Sequence, residues 1–161
     1  MVQDDTVFWD FHLNPHFWRD FNKSYAFDVD GMTGANGGDE YAIKLYSSIP
    51  ADIENCIDEY GCLLSSASGL QAVEASAVND STVHLLFSDT SNNLGFTITV
   101  AEANGVTLTI GDNDVAIQGI FIVKKDTGYL FAYARLNNAE TFKTNIILPF
   151  VGALGQVGNC N

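Results

Sequence analysis

The chain has 161 residues, 47% of them hydrophobic and only 17% charged, which excludes a disordered tail and suits one domain with a substantial core. Its 20 acidic side chains against 7 basic ones leave a net charge of −13, so neither a surface that tracks nucleic-acid phosphates nor electrostatic attachment to an anionic membrane is expected. No apolar run approaches the roughly 20 residues of a membrane-spanning helix.

The amino-terminal Met-Val-Gln-Asp-Asp has neither the basic start nor the apolar stretch of a secretion signal, which predicts folding in a cytoplasm. Cys56, Cys62 and Cys160 are then expected to be free thiols, because their number is odd and their spacing matches no zinc or redox motif. Cys56 and Cys62 would approach each other if the chain turns at Gly61, and Cys160 is placed to cross-link subunits.

Residues 7–21 hold six aromatics in fifteen positions. Pro15 forbids one continuous helix and predicts two short pieces, an extended strand and then a turn of helix. On sequence, Phe8, Trp9, Phe11, Phe17, Trp18 and Phe21 have three open uses. They seal one end of a core, or form an arm that binds a partner, or, for Trp9 and Trp18, stack on carbohydrate. His12 and His16 have the spacing of two ligands on a helical face, with Asp10 and Asp20 as further candidates. Pro15 removes the helical premise, and the histidines read as surface or packed residues.

Asp28–Glu40, with four glycines and four acidic residues, reads as a surface loop. Ca²⁺ takes about six to eight oxygens from such loops, so Asp28, Asp30, Asn36, Asp39 and Glu40 are its candidate ligands. The helix-loop-helix calcium spacing fails, since its fifth position falls on Met32. The loop therefore reads first as solvated and only second as a cation site.

A strand follows at Tyr41–Ser47. Pro50 ends it and opens a short helix over 51–60, where Ile53 and Ile57 share a face and Gly61 is the stop. Residues 65–80 read as a loop or a weak strand. From Ser81 the chain becomes a series of strands: Thr82–Ser88, Gly95–Val100, Val106–Ile110, Val115–Val123, Tyr129–Leu136 and Lys143–Phe150. Turn signals separate them at Ser91-Asn92-Asn93, Asn104-Gly105, Gly111–Asp114, Thr127-Gly128 and Asn137-Asn138.

In the hairpin Val115–Leu136, Ile117, Phe121 and Val123 point one way and Ile120 and Ile122 the other, so both faces should be covered. Residues Gly152–Asn161 are expected to be mobile or to lie on a neighbour. The pattern predicts a single mainly-β domain over 1–161, an antiparallel β-sandwich or jelly-roll-like barrel with one short helix near 51–60. His84 has no Ser or acidic neighbour in sequence, and serine elbows, phosphate-cradling glycine loops and paired metal-binding cysteines do not occur. The chain reads as non-enzymatic.

Ile117-Gln-Gly-Ile-Phe-Ile-Val123, Gly128-Tyr-Leu-Phe-Ala-Tyr-Ala-Arg-Leu136, Asn137-Asn-Ala-Glu-Thr141 and Phe142-Lys-Thr-Asn-Ile-Ile-Leu-Pro-Phe150 together resemble a pattern of small β-rich virion proteins of tailed bacteriophages. Tyr41-Ala-Ile-Lys-Leu-Tyr46 is similar to their first core strand. The match covers about a third of the chain, and neither the aromatic segment nor the 28–40 loop belongs to the pattern. The resemblance implies a homo-oligomeric structural protein that decorates or cements the capsid, assembled in the host cytoplasm and bound to the major capsid protein or other virion proteins. A tail or head–tail connector component is the near alternative. A glycan-binding module using Trp9 or Trp18 with Ca²⁺ in the 28–40 loop is the alternative from a different class.

Overall fold

The computed structural model describes residues 5–6, 9–20, 40–64, 66–73, 81–89, 95–100, 106–108, 115–142, 146–148 and 155–158. In chain order the elements are β1 (Asp5–Thr6), β2 (His12–Leu13), α1 (Phe17–Asp20), β3 (Glu40–Ser48), a 3₁₀ turn (Ile53–Cys56), β4 (Gln71–Ala72), β5 (Ser81–Asp89), β6 (Gly95–Val100), β7 (Val106–Leu108), β8 (Val115–Lys124), β9 (Leu130–Phe142), β10 (Ile146–Leu148) and β11 (Gly155–Gly158). The domain is mainly β, and the strands fall on the β-branched and aromatic runs. An eight-stranded sheet runs β11-β6-β5-β3-β8-β9-β2, with β4 also paired to β3, and a three-stranded sheet runs β1-β10-β7. All pairs are antiparallel except β1 with β10.

The centre of the large sheet is β3-β8-β9. Pairing puts Tyr46 beside Gly119, and Phe121 between Lys44 and Tyr133, so these share a face, while Ile43, Ile122 and Ala132 share the other. On the first face Tyr46, Phe121, Val123 and Leu130 pack against Ile49, Ile53 and Ile57, with Leu63 and Leu70 at the margin. The segment after β3 thus folds back as a lid over the sheet. On the second face Tyr41, Ile43, Ile120 and Ile122 are fully buried, and the Phe131 ring meets Tyr41 edge-on at 5.6 Å. Both faces of the hairpin are covered within one chain, as its apolar pattern requires. Each buried side chain of this size contributes about 1.5–3 kcal/mol.

Where Pro50 and the Ile53/Ile57 spacing predict a helix over 51–60, a single 3₁₀ turn forms. The Asp52 carboxylate caps it by accepting the Glu54 N–H at 3.0 Å. It stops after Cys56 because Ile57 is extended (φ −125, ψ 149) and pairs with Leu63. Between them Asp58 Oδ1 accepts the N–H groups of Tyr60 (2.8 Å) and Cys62 (2.9 Å), and the chain turns at Gly61 with φ +79. A longer helix would lose that turn and its seat on the hairpin.

The predicted turn at Asn137-Asn138 does not form; β9 runs through it. Ile117 pairs with Glu140 and Gly119 with Arg135, so Gln118 alone faces Leu136, Asn137, Asn138 and Ala139, a wide bulge. The Gln118 amide fills the break. Its Nε2 donates to Leu136 O (3.1 Å) and Asn137 O (3.3 Å), and its Oε1 accepts the Ile49 N–H (2.9 Å). Gly119 provides the seat for Ile49: a Cβ there would collide with Ile49 Cδ1 and stand 2.9 Å from Ala134 O. The other end of the hairpin matches its sequence signal, with Gly128 at φ +81 donating to Lys124 O at 2.9 Å.

Of two further segments, the first matches one of its two sequence readings and the second differs from expectation. Residues 65–80 include the short strand β4, which pairs at Tyr46 and Ser48 of β3. Within the carboxy-terminal stretch, β11 pairs with β6, because a backbone ladder needs no side chains and four residues of Gly-Gln-Val-Gly suffice. Among the described residues no helix is long and apolar enough to cross a membrane.

Candidate functional site

Asn14 precedes Pro15, which holds it in extended backbone and ends β2. Its N–H donates to Phe131 O (2.9 Å), its carbonyl accepts the Phe17 N–H (2.9 Å), and its Oδ1 accepts the His16 N–H (2.8 Å). Its Nδ2 donates to Leu130 O (2.9 Å) and Gly61 O (3.3 Å). One buried amide therefore joins the amino-terminal segment, the start of β9 and the Gly61 turn. Strand-then-helix around Pro15 follows as predicted, with β2 on one side and the single-turn α1 on the other.

α1 delivers two side chains into the interior. Phe17 is buried edge-on against Phe131, with ring centroids 5.6 Å apart. Asp20 is fully buried, and its Oδ2 accepts the Tyr129 hydroxyl at 2.9 Å. Gly61 is required above this pair. A Cβ there would come 2.5 Å from the Tyr129 ring and 2.9 Å from Asp20 Oδ2, at a φ that side chains rarely adopt.

The sequence candidates thus separate. Phe17 belongs to the chain's own core and offers no surface to a partner. Trp9 is half-buried with its ring 6.3 Å from that of Phe142, and Phe11 is half-buried. Trp18 lies on α1. Glu40 is exposed at the start of β3, opposite His84 of β5, and its carbonyl accepts the Lys125 N–H at 3.0 Å. Phe8, Phe21, Asp28, Asp30, Asn36, Asp39 and Cys160 lie outside the described residues.

The histidines do not converge. His12 Nε2 faces Asp10 at 3.4 Å with its ring 5.8 Å from that of Tyr133, whereas His16 Nε2 reaches Glu54 at 2.9 Å and Asp20 is buried under Tyr129. Among the described residues no group of three His, Cys, Asp or Glu side chains is arranged to hold a metal ion.

Cys56 and Cys62 are free thiols. The Asp58 turn sets Leu64 beside Cys56 and Asp58 beside Cys62, so the thiols are not cross-strand partners. Burial pushes the Cys56 thiol up, and Asp52 adds to it. Burial likewise raises Cys62, helped by Asp58 and Asp20 and opposed by Lys124. Tyr133 is raised by burial and then by Asp52. Thiols held protonated are poor nucleophiles.

All three shifts act in one direction on stability. The unfolded chain loses the Tyr133 proton near the ordinary phenol value of 10.0 and the two thiol protons already from about pH 9, near the ordinary thiol value of 9.0, while the folded chain still holds them. The folded state then binds more protons, so stability is fully present below that pH and falls as pH rises above it. Thermal melts from pH 8 to pH 10.5 are expected to show Tm falling on the alkaline side. Replacing Cys56 and Cys62 by Ala should flatten the early part of that fall; an unchanged slope would contradict the assignment.

Sequence reasoning passes over Asn14, Gln118, Tyr129 and Arg135. The Asn-Pro step is the one local signal that pointed at Asn14. Arg135 Nη2 donates to Ile49 O at a long 3.4 Å, and two buried atoms, Arg135 Nε and Trp9 Nε1, have no hydrogen-bond partner. Searches against protein-family models, curated proteins and solved structures find nothing that matches this chain.

Proposed function

We propose that the chain is a non-enzymatic structural protein of a tailed-phage virion, a capsid decoration or cement subunit that assembles with copies of itself on the major capsid protein. Its two sheets are then packed as a sandwich or jelly-roll-like barrel, a reading supported by the approach of β5 to β7. The observation that carries the functional reading is where the resemblance falls. Most of the positions that resemble that group fall on β3, β8 and β9, the central strands around which the rest of the chain is built, and the pattern runs on to Phe150.

The charge agrees with an outward position. A surface lining packaged DNA would be basic, whereas this chain carries a net −13. Particles of the phage that encodes it are expected to contain the protein in many copies, with cryo-EM density on the outer capsid surface. Density in the tail or neck would overturn the decoration role in favour of a tail component. Absence from purified virions would overturn the virion reading altogether.

A further inference from the structure

β9 is 13 residues long, yet among the described residues its outer side is paired only by β2, which covers Ala132 and Tyr133. Farther along the strand the Trp9 ring rests on Phe142, and between these two contacts residues 137–141 are exposed. The opposite edge of the same sheet is β11, with only four residues. A long free edge is a template on which another chain can add a strand, and native sheets keep their edges short, bent or charged.

The bulge falls inside the open stretch. Gly119 pairs with Arg135 and Ile117 with Glu140, so β9 carries three residues more than a regular ladder needs there. An added strand requires N–H and C=O groups that alternate outward in line, about 4.8 Å from its own backbone. Here Leu136 O and Asn137 O are turned inward instead, to the Gln118 amide. Gln118 also accepts the Ile49 N–H through Oε1, so both ends of its side-chain amide are used to hold the break in place. Glu140 adds an exposed charge where the regular ladder resumes.

We propose that the bulge at 136–139 is a stop on the edge of β9, which prevents a second copy of this chain from adding a strand there. A second copy is the strand donor in question because every copy carries the same edge. Two such edges would meet about a two-fold axis as an antiparallel pair, the arrangement of every other ladder in this sheet. Contacts between copies are then made by side chains on other surfaces and not by extending the sheet.

The test removes the bulge. Deleting Asn137, Asn138 and Ala139 leaves Gln118 opposite Leu136 alone and makes the ladder from Gly119–Arg135 to Ile117–Glu140 regular. In sedimentation velocity over a wide concentration range, the shortened chain is expected to associate at least about tenfold more tightly than the wild type. Adding Thr141→Lys to the shortened chain, a charge on the restored edge, should return it to wild-type behaviour. A shortened chain that melts cooperatively and associates no more than the wild type would overturn the proposal. So would association that Thr141→Lys leaves unchanged, because that marks an exposed core and not strand addition. If the shortened chain has no cooperative melt, Gln118→Ala decides. It keeps the chain length but releases Leu136 O and Asn137 O, and an association equal to that of the wild type would again overturn the proposal.

Discussion

Deleting residues 1–21 is expected to unfold the domain, not to release a folded core that has lost a binding arm. The deletion removes Phe17, and emptying a buried phenylalanine site costs about 3–5 kcal/mol. It also removes Asn14, leaving Leu130 O and Gly61 O without that donor, and Asp20, leaving the buried Tyr129 hydroxyl without that acceptor. Gly61 O still accepts the Leu130 N–H, so these losses are of single hydrogen bonds, about 0.5–1.5 kcal/mol each. Since domains are stable by about 5–15 kcal/mol in all, the combined loss consumes most or all of the margin. Circular dichroism of the truncated chain should show no cooperative melt near that of the full chain. A truncated protein melting cooperatively within a few degrees of it would mean that the segment is an appendage.

The comparison between what the residues announce and what they build turns on range. Strands carried by β-branched and aromatic runs, the break at Pro15 and the Gly128 turn are written in neighbouring residues and were legible. The helix expected over 51–60 rested on Ile53 and Ile57 sharing a face. That spacing does bury both, but nothing local says that Ile57 will pair with Leu63 and cut the helix to one turn. Asn137-Asn138 has the chemistry of a turn and of a bulge alike. What selects the bulge is Gln118, far along the other strand.

The site was less legible than the fold for the same reason. Aromatic side chains in residues 7–21 look equivalent in sequence, yet Phe17 is core while Trp9 keeps an unpaired indole N–H. Asp20 and Tyr129 stand 109 residues apart, and neither has a motif around it.

Gly119→Ala is expected to destabilise the domain by about 1–3 kcal/mol, the usual cost of forcing extra volume into a packed site. For a chain of this length that lowers Tm by about 3–10 °C. The mechanism is specific. The new methyl group takes the space of Ile49 Cδ1, and Ile49 is held from both sides by the Gln118 amide on its N–H and the Arg135 guanidinium on its carbonyl. It cannot withdraw without breaking both. Ile49→Val deletes the colliding atom at its own cost of about 0.5–1.5 kcal/mol. In the double variant the two costs should therefore add to less than their sum, a coupling of about 0.5–2 kcal/mol. Full rescue is not expected, because the methyl also stands 2.9 Å from Ala134 O, a backbone atom that a smaller residue 49 does not move. Denaturant melts of the wild type, both single variants and the double variant measure this cycle. Strict additivity would show that Gly119 is needed for some reason other than the seat of Ile49.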